Sequence, residues 1–124
     1  MKPIAYISQR VIELLGLNIN ADTPVYIGET NIEHIKNRHP YEYEHYLPDI
    51  GIIISEPDYV GLSPRDNSIF FVKLYEVHGN YVRVAVRATQ SGTFYAKTLH
   101  ILSTCNAERY IEKGTLKRLD KSKI

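Results

Sequence analysis

The sequence predicts an α+β fold in which N-terminal helices pack against the apolar face of an antiparallel sheet. Two observations carry this. Ile4, Ile7, Val11, Leu14 and Leu15 recur at helical spacing near the start of the chain. From Asp58 onward the pattern shortens to alternation, most clearly in "FFVKLYEVHGNYVRVAVR", residues 70–87. Helical patterns come first and strand patterns follow, so the two kinds of element are segregated along the chain.

Each element has its own signal. Residues 4–15 read as an amphipathic helix that Gly16 terminates. "TPVYIGE" gives a short strand at 24–28. "TNIEHIKNRHP" opens a helix with Thr30 at the cap and Glu33 three residues on, the pattern of a capping box. Pro40 limits that helix, because the residue before a proline is driven out of the helical region. In "YEYEHYLPDIGIIISEP" the first part reads as a helical turn, and "DIGIIIS" fits a buried helix or a buried strand equally. "DYVGL" is a short strand and "SPRDNS" is turn chemistry. Residues 69–77 and 81–89 are strands joined by the loop "HGN". A three-residue loop pairs 77 with 81, 75 with 83 and 73 with 85, which keeps every odd residue on one face. "QSGT" turns the chain into a third strand, 94–102. "NAERYIEKG" is a helix ending at Gly114, "TLKRL" an edge strand, and "DKSKI" a frayed tail.

Composition narrows the function classes. With 124 residues the chain reads as a single domain, 1–124, with one hydrophobic core. A formal net charge of +1 gives no global basic field, so an anion site has to be a local cluster. The single cysteine, Cys105, excludes an intramolecular disulfide and a cysteine zinc cage. A lone thiol fits a reducing, cytoplasmic setting. No apolar run is long enough to span a membrane, so no membrane partner is expected. There is no P-loop, GxGxxG or GxSxG motif, and no cofactor is expected.

The hairpin carries the chemistry. Phe70, Val72, Leu74, Val82, Val84 and Val86 form an apolar set for the core. Lys73, Tyr75, Arg83 and Arg87 form the other set, without a central acid. A solvated antiparallel face also carries such residues. Cations beside tyrosine and a small alanine suit an anion such as phosphate. On the third strand Thr98 and His100 point away from Leu99 and Ile101, adding a hydroxyl and an imidazole. Phosphodiester cleavage needs these types: cations for developing charge, a hydrogen-bond donor, and a group that moves protons near neutral pH. In "HIKNRHP", Ile32, Ile35 and His39 share one stripe, while His34 and Arg38 lie on a flank. His39 is placed either to cap helix carbonyls or to reach the open side of the sheet. The five-residue spacing of His34 and His39 does not put both on one face, and no metal ligand set is expected.

The order of "IEHIKNRHP", "ISEPDYV", "IFFVKLYE", "YVRVAVRA" and "FYAKTLHIL" resembles the phage-borne branch of the barnase/EndoU/colicin/RelE-like nuclease superfamily, over about residues 22–115. The resemblance implies N-terminal helices on a four-stranded antiparallel sheet, and a metal-independent ribonuclease of toxin or prophage-effector type. It carries a helical histidine site onto His34 or His39, basic strand sites onto Lys73 and Arg87, and a hydroxyl site onto Thr98. The sequence departs from barnase, which uses a carboxylate base; here no acid stands on the proposed face, and a histidine has to be the base. The implied chemistry is attack of the ribose 2′-hydroxyl on the adjacent phosphate, leaving a 2′,3′-cyclic phosphate. The expected partner is RNA, bound by Arg38, Tyr75 and Arg83, with an immunity or antitoxin protein as a second candidate. The competing readings are a non-catalytic module that holds single-stranded nucleic acid on the same face and a phage interaction protein.

Overall fold

The computed structural model describes residues 1–119, and the expected frayed tail lies outside them. The first half runs β1 (Ala5–Ile7), α1 (Gln9–Leu15), β2 (Thr23–Tyr26), α2 (Glu29–Arg38), α3 (Pro40–Tyr46), a 3-10 turn (Leu47–Asp49) and α4 (Ile50–Ser55). The second half runs β3 (Tyr59–Leu62), β4 (Ile69–Tyr75), β5 (Asn80–Ala88), β6 (Phe94–Leu102), α5 (Thr104–Glu112) and β7 (Leu116–Arg118). Fold class is therefore α+β, but the described sheet has seven strands rather than four, in the order β1-β2-β6-β5-β4-β3-β7. Every pairing is antiparallel except β2 with β6. Strands β2, β3 and β7 fall where the sequence predicts strands, and the unexpected one, β1, is three residues long, too short for alternation to declare itself.

Several boundaries moved for local reasons. The expected helix over 4–15 is two elements. Ala5 and Ile7 are buried with Tyr6 exposed between them, and the three residues pair with β2. Ser8 then caps α1 by accepting from the Val11 N–H. Gly16 ends α1 in the left-handed region, as expected (φ 66°). Helix α2 starts earlier than its expected capping box. Gly28 is the cap and its N–H donates to the Asn31 side chain at 3.0 Å, so Thr30 and Glu33 play no capping part. Pro40 both ends α2 and opens α3, with His39 as the elbow between them (φ −135°, ψ 63°). "GIIIS" resolves as helix, burying Ile50, Ile53 and Ile54.

The hairpin register is the main correction. Gly79 takes the left-handed turn position (φ 67°), and Asn80 is already in β5. The loop therefore has four residues, 76–79, and Tyr75 pairs with Asn80, Lys73 with Val82, and Phe71 with Val84. Odd residues of β4 thus share a face with even residues of β5. Lys73 and Tyr75 do not stand beside Arg83 and Arg87; the two pairs are on opposite faces. Parity matches faces across a hairpin only where one face is buried and the other wet. Here both faces are covered, so apolar residues on either parity are satisfied.

One core lies under the N-terminal helices and contains Val11, Val25, Ile35, Ile53, Phe71, Val82, Val84, Val86 and Leu99. A smaller one lies under α5 on the opposite face, where Val72, Leu102, Ala107 and Leu116 meet Phe70, Tyr81 and Tyr110. Strand β7 closes that side by pairing with β3. Gly61 permits the approach: a Cβ there would run into the Thr115 carbonyl. Helix α5 covers its face less completely than the N-terminal helices cover theirs: Arg83 on β5 and Thr98 and His100 on β6 stay partly exposed.

Candidate active site at the open end of the second face

Three structural facts assemble the site. First, β2 pairs with β6 only at Phe94 and Tyr95, so the rest of that edge of β6 has no strand partner in the described sheet. Helices α2 and α3 lie against it instead. The Ile101 N–H on this edge donates to the Glu42 carboxylate at 3.1 Å. Second, the elbow at His39 turns that side chain toward β6. Its Nδ1 is 3.8 Å from the same Glu42 oxygen, and its ring centroid is 4.9 Å from that of His100. Third, His100 pairs directly with Arg83 on β5. Thr98 lies two residues before His100 on the same face, about 6–7 Å along the strand.

The electrostatics of this corner have a definite sign. The His100 pKa is lowered from 6.5, first by burial and then by the Arg83 and His39 charges, with Glu42 opposing. The ring is therefore held neutral at neutral pH. Arg83 is the unusual member. It is largely buried, and its Nε has no hydrogen-bond partner. Its guanidinium carbon lies 4.5 Å from the Phe70 ring centre. Burial lowers its pKa, and no described carboxylate forms an ion pair with it. A buried cation without an anion is costly unless something else supplies the anion.

His39, Glu42 and His100 also have the composition of a metal set, with donor atoms within 4.8 Å of one another. The surroundings fit that use poorly. The Glu42 carboxylate already accepts a backbone N–H, and the unpaired Arg83 cation beside His100 disfavours a divalent ion. The same cation favours an anion.

The structure disperses some of the expected site residues. His34 and Arg38 are exposed on α2, on the flank away from buried Ile35. Arg87 is on the face of Arg83 but four residues along β5, past a register shift, and its Nη1 lies 3.6 Å from Asp66. Lys73 is two strands from β6 and on the other face, where its Nζ donates to the Glu56 carbonyl at 3.0 Å. Tyr75 faces the helices. Its hydroxyl donates to Asp49 at 2.9 Å and its ring packs 4.8 Å from that of Tyr46, so it presents no free stacking surface. Burial and Asp49 push its hydroxyl well above the ordinary 10.0.

Sequence reasoning missed Glu42, and with it an acid in the site. The available signal was its position three residues after His39, across a proline that starts a helix. It also missed that α5 brings Tyr110 over the sheet beside Arg83 and Phe70.

The comparisons with known proteins give one result. The family described as phage-Barnase-EndoU-ColicinE5/D-RelE like nuclease matches over residues 2–117, nearly the whole chain. No curated protein and no solved structure matches. The chain belongs to this phage-Barnase-EndoU-ColicinE5/D-RelE like nuclease family.

Proposed function

We propose that the chain is a metal-independent endoribonuclease that cleaves at the corner formed by His39, Glu42, His100, Arg83 and Thr98. The observation that carries this is Arg83, with an unpartnered Nε and no described carboxylate in ion-pair range, beside a pair of histidines in ring contact. Membership of a nuclease family supports phosphodiester cleavage. The choice of RNA rests on the histidine pair beside a cation, which suits a substrate carrying its own nucleophile.

In this mechanism Arg83 holds a non-bridging phosphate oxygen. His100, held neutral, takes the proton from the ribose 2′-hydroxyl. The 2′-oxygen bonds to phosphorus, the bond to the 5′-oxygen breaks, and His39 returns a proton to that leaving oxygen. The products are a 2′,3′-cyclic phosphate and a 5′-hydroxyl. Glu42 orients His39, and Thr98 donates to a phosphate oxygen. A positioned acid or base contributes about 10²–10⁴ in rate, and a charge-stabilising donor about 10²–10³. Arg87, with Tyr26 and Tyr95 on the same face and their rings 6.1 Å apart, would follow the flanking strand.

The test is cleavage of mixed-sequence RNA in excess chelator, followed by end-group analysis. We expect undiminished activity and 2′,3′-cyclic phosphate ends. Loss of activity on chelation, or plain 3′-hydroxyl ends, overturns the mechanism. RNA binding without cleavage favours the non-catalytic reading.

A further inference from the structure

We infer that the cavity beyond Arg83, between the sheet and α5, is a subsite for the nucleoside next to the scissile phosphate. This rests on reading the His39–His100 corner as the cleavage site. The cavity measures about 260 Å³, and its walls include Ser63, Arg65, Phe70, Arg83, Tyr110 and Thr115.

Its chemistry is that of a nucleotide site. Two arginines and no carboxylate line it, so the field favours an anion. The Arg83 side chain walls it, and no described carboxylate forms an ion pair with that side chain. Phe70 already carries the Arg83 guanidinium on its ring, which leaves Tyr110 as the aromatic available to a base. Thr115 adds a hydroxyl to the lining, a donor and acceptor of the kind base edges need, while the buried Ser63 hydroxyl is held by the Arg65 N–H. A water takes about 30 Å³ and ligand clefts begin near ~300 Å³. The cavity is thus oversized for a lone phosphate oxygen and of the order of one heterocycle.

Position ties it to the corner. Arg83 pairs with His100 across the β5–β6 ladder and walls the cavity as well. A phosphate on Arg83 therefore has the histidines on one side and the cavity on the other, so one attached nucleoside falls into the cavity. Its walls are neighbours only in space: Tyr110 and Thr115 come from the end of the chain, and the Ser63–Arg65 turn comes from its middle.

The experiment is an NMR titration of the intact chain with each ribonucleoside 3′-monophosphate and, separately, with inorganic phosphate. We expect the nucleotides to bind more tightly than phosphate, with shifts at Phe70, Arg83 and Tyr110. Tyr110→Ala should weaken nucleotide binding about 5- to 150-fold, the range for losing one base–aromatic stack, and Tyr110→Phe should restore most of it. Arg65→Gln, at an exposed position, gives a second reading should Tyr110→Ala fail to fold, and it too should weaken nucleotide binding. Nucleotides that bind no better than phosphate, or affinities indifferent to Tyr110 and Arg65, overturn the subsite. Tyr110-dependent nucleotide binding in a protein that cuts no RNA keeps the subsite and removes the nuclease reading. Efficient cleavage with no dependence on Tyr110 or Arg65 does the reverse.

Discussion

Tyr75 and Arg83 sit on adjacent strands of one hairpin, both polar and both partly withdrawn from water, yet they are treated in opposite ways. The Tyr75 hydroxyl has a carboxylate acceptor in Asp49, and its ring rests on Tyr46, whose own hydroxyl accepts from Asn80. Both of these hydroxyls are answered from within the protein. The Arg83 Nε is answered by nothing, and the nearest histidine shares its charge sign when protonated. A satisfied polar group holds the fold together. An unsatisfied one beside titratable groups marks where a ligand completes the network. The helix-facing end of the hairpin is scaffold by this measure, and the proposed binding site lies on the face toward α5.

The strongest way to break the contrast is Arg83→Met. Removing one charge-stabilising donor should cost about 10²–10³ in cleavage rate. Replacing a buried, partnerless cation with an apolar side chain of similar length should leave stability unchanged or raise it. Rate and thermal midpoint, measured on the same sample, check both halves. A variant that loses stability without losing rate would move Arg83 into the scaffold.

Tyr75→Phe should do the opposite. Deleting a hydrogen bond to a charged acceptor costs about 1.5–3 kcal/mol, visible as a lower denaturant midpoint, while cleavage of RNA by the folded protein stays at the wild-type rate. A rate loss at full folding would return Tyr75 to the substrate.

A smaller effect is expected with pH. Because the folded-state pKa of His100 is below 6.5, through burial and Arg83, the unfolded chain binds more protons at this position as pH falls through that value. The contribution of neutral His100 to stability is therefore present above pH 6.5 and is lost as pH falls below it. His100→Gln should flatten that slope in denaturation curves taken at successive pH values. In the wild type, the acidic limb of the rate profile should lie below 6.5 for the same reason. A limb above that value would remove His100 as the base.

Much of the fold was legible because long elements announce themselves. Strand β6 falls at 94–102 as the pattern predicts, the α5–Gly114–β7 ending is as expected, and Gly16 ends its helix. The failures have one cause: they depend on which elements meet. Ile4, Ile7 and Val11 fit helical spacing, but the β2 partner turns 5–7 into a strand. The hairpin register depended on whether one face or two would be covered, and α5, which comes after all three strands in sequence, covers the second. Within the site, His39 was legible as a residue able to reach the sheet, and Thr98 and His100 as neighbours on the outward face of β6. The join between them was not, because it is made across the unpaired edge of β6 by Glu42, whose partners lie both in its own helix and on that strand. Lys73 looked like a site residue because alternation gives faces within a strand but not the match of faces between strands.

The most direct test sets the two regions side by side: the RNA-cleavage rates of His39→Ala/His100→Ala and Lys73→Met/Tyr75→Phe, each measured on protein shown to be folded by its near-UV circular dichroism. The histidine pair variant should fall at least about 10²–10⁴-fold below the wild-type rate, and the Lys73/Tyr75 variant should keep that rate. A histidine variant that cuts RNA normally, or a Lys73/Tyr75 variant that is folded and inactive, would contradict it.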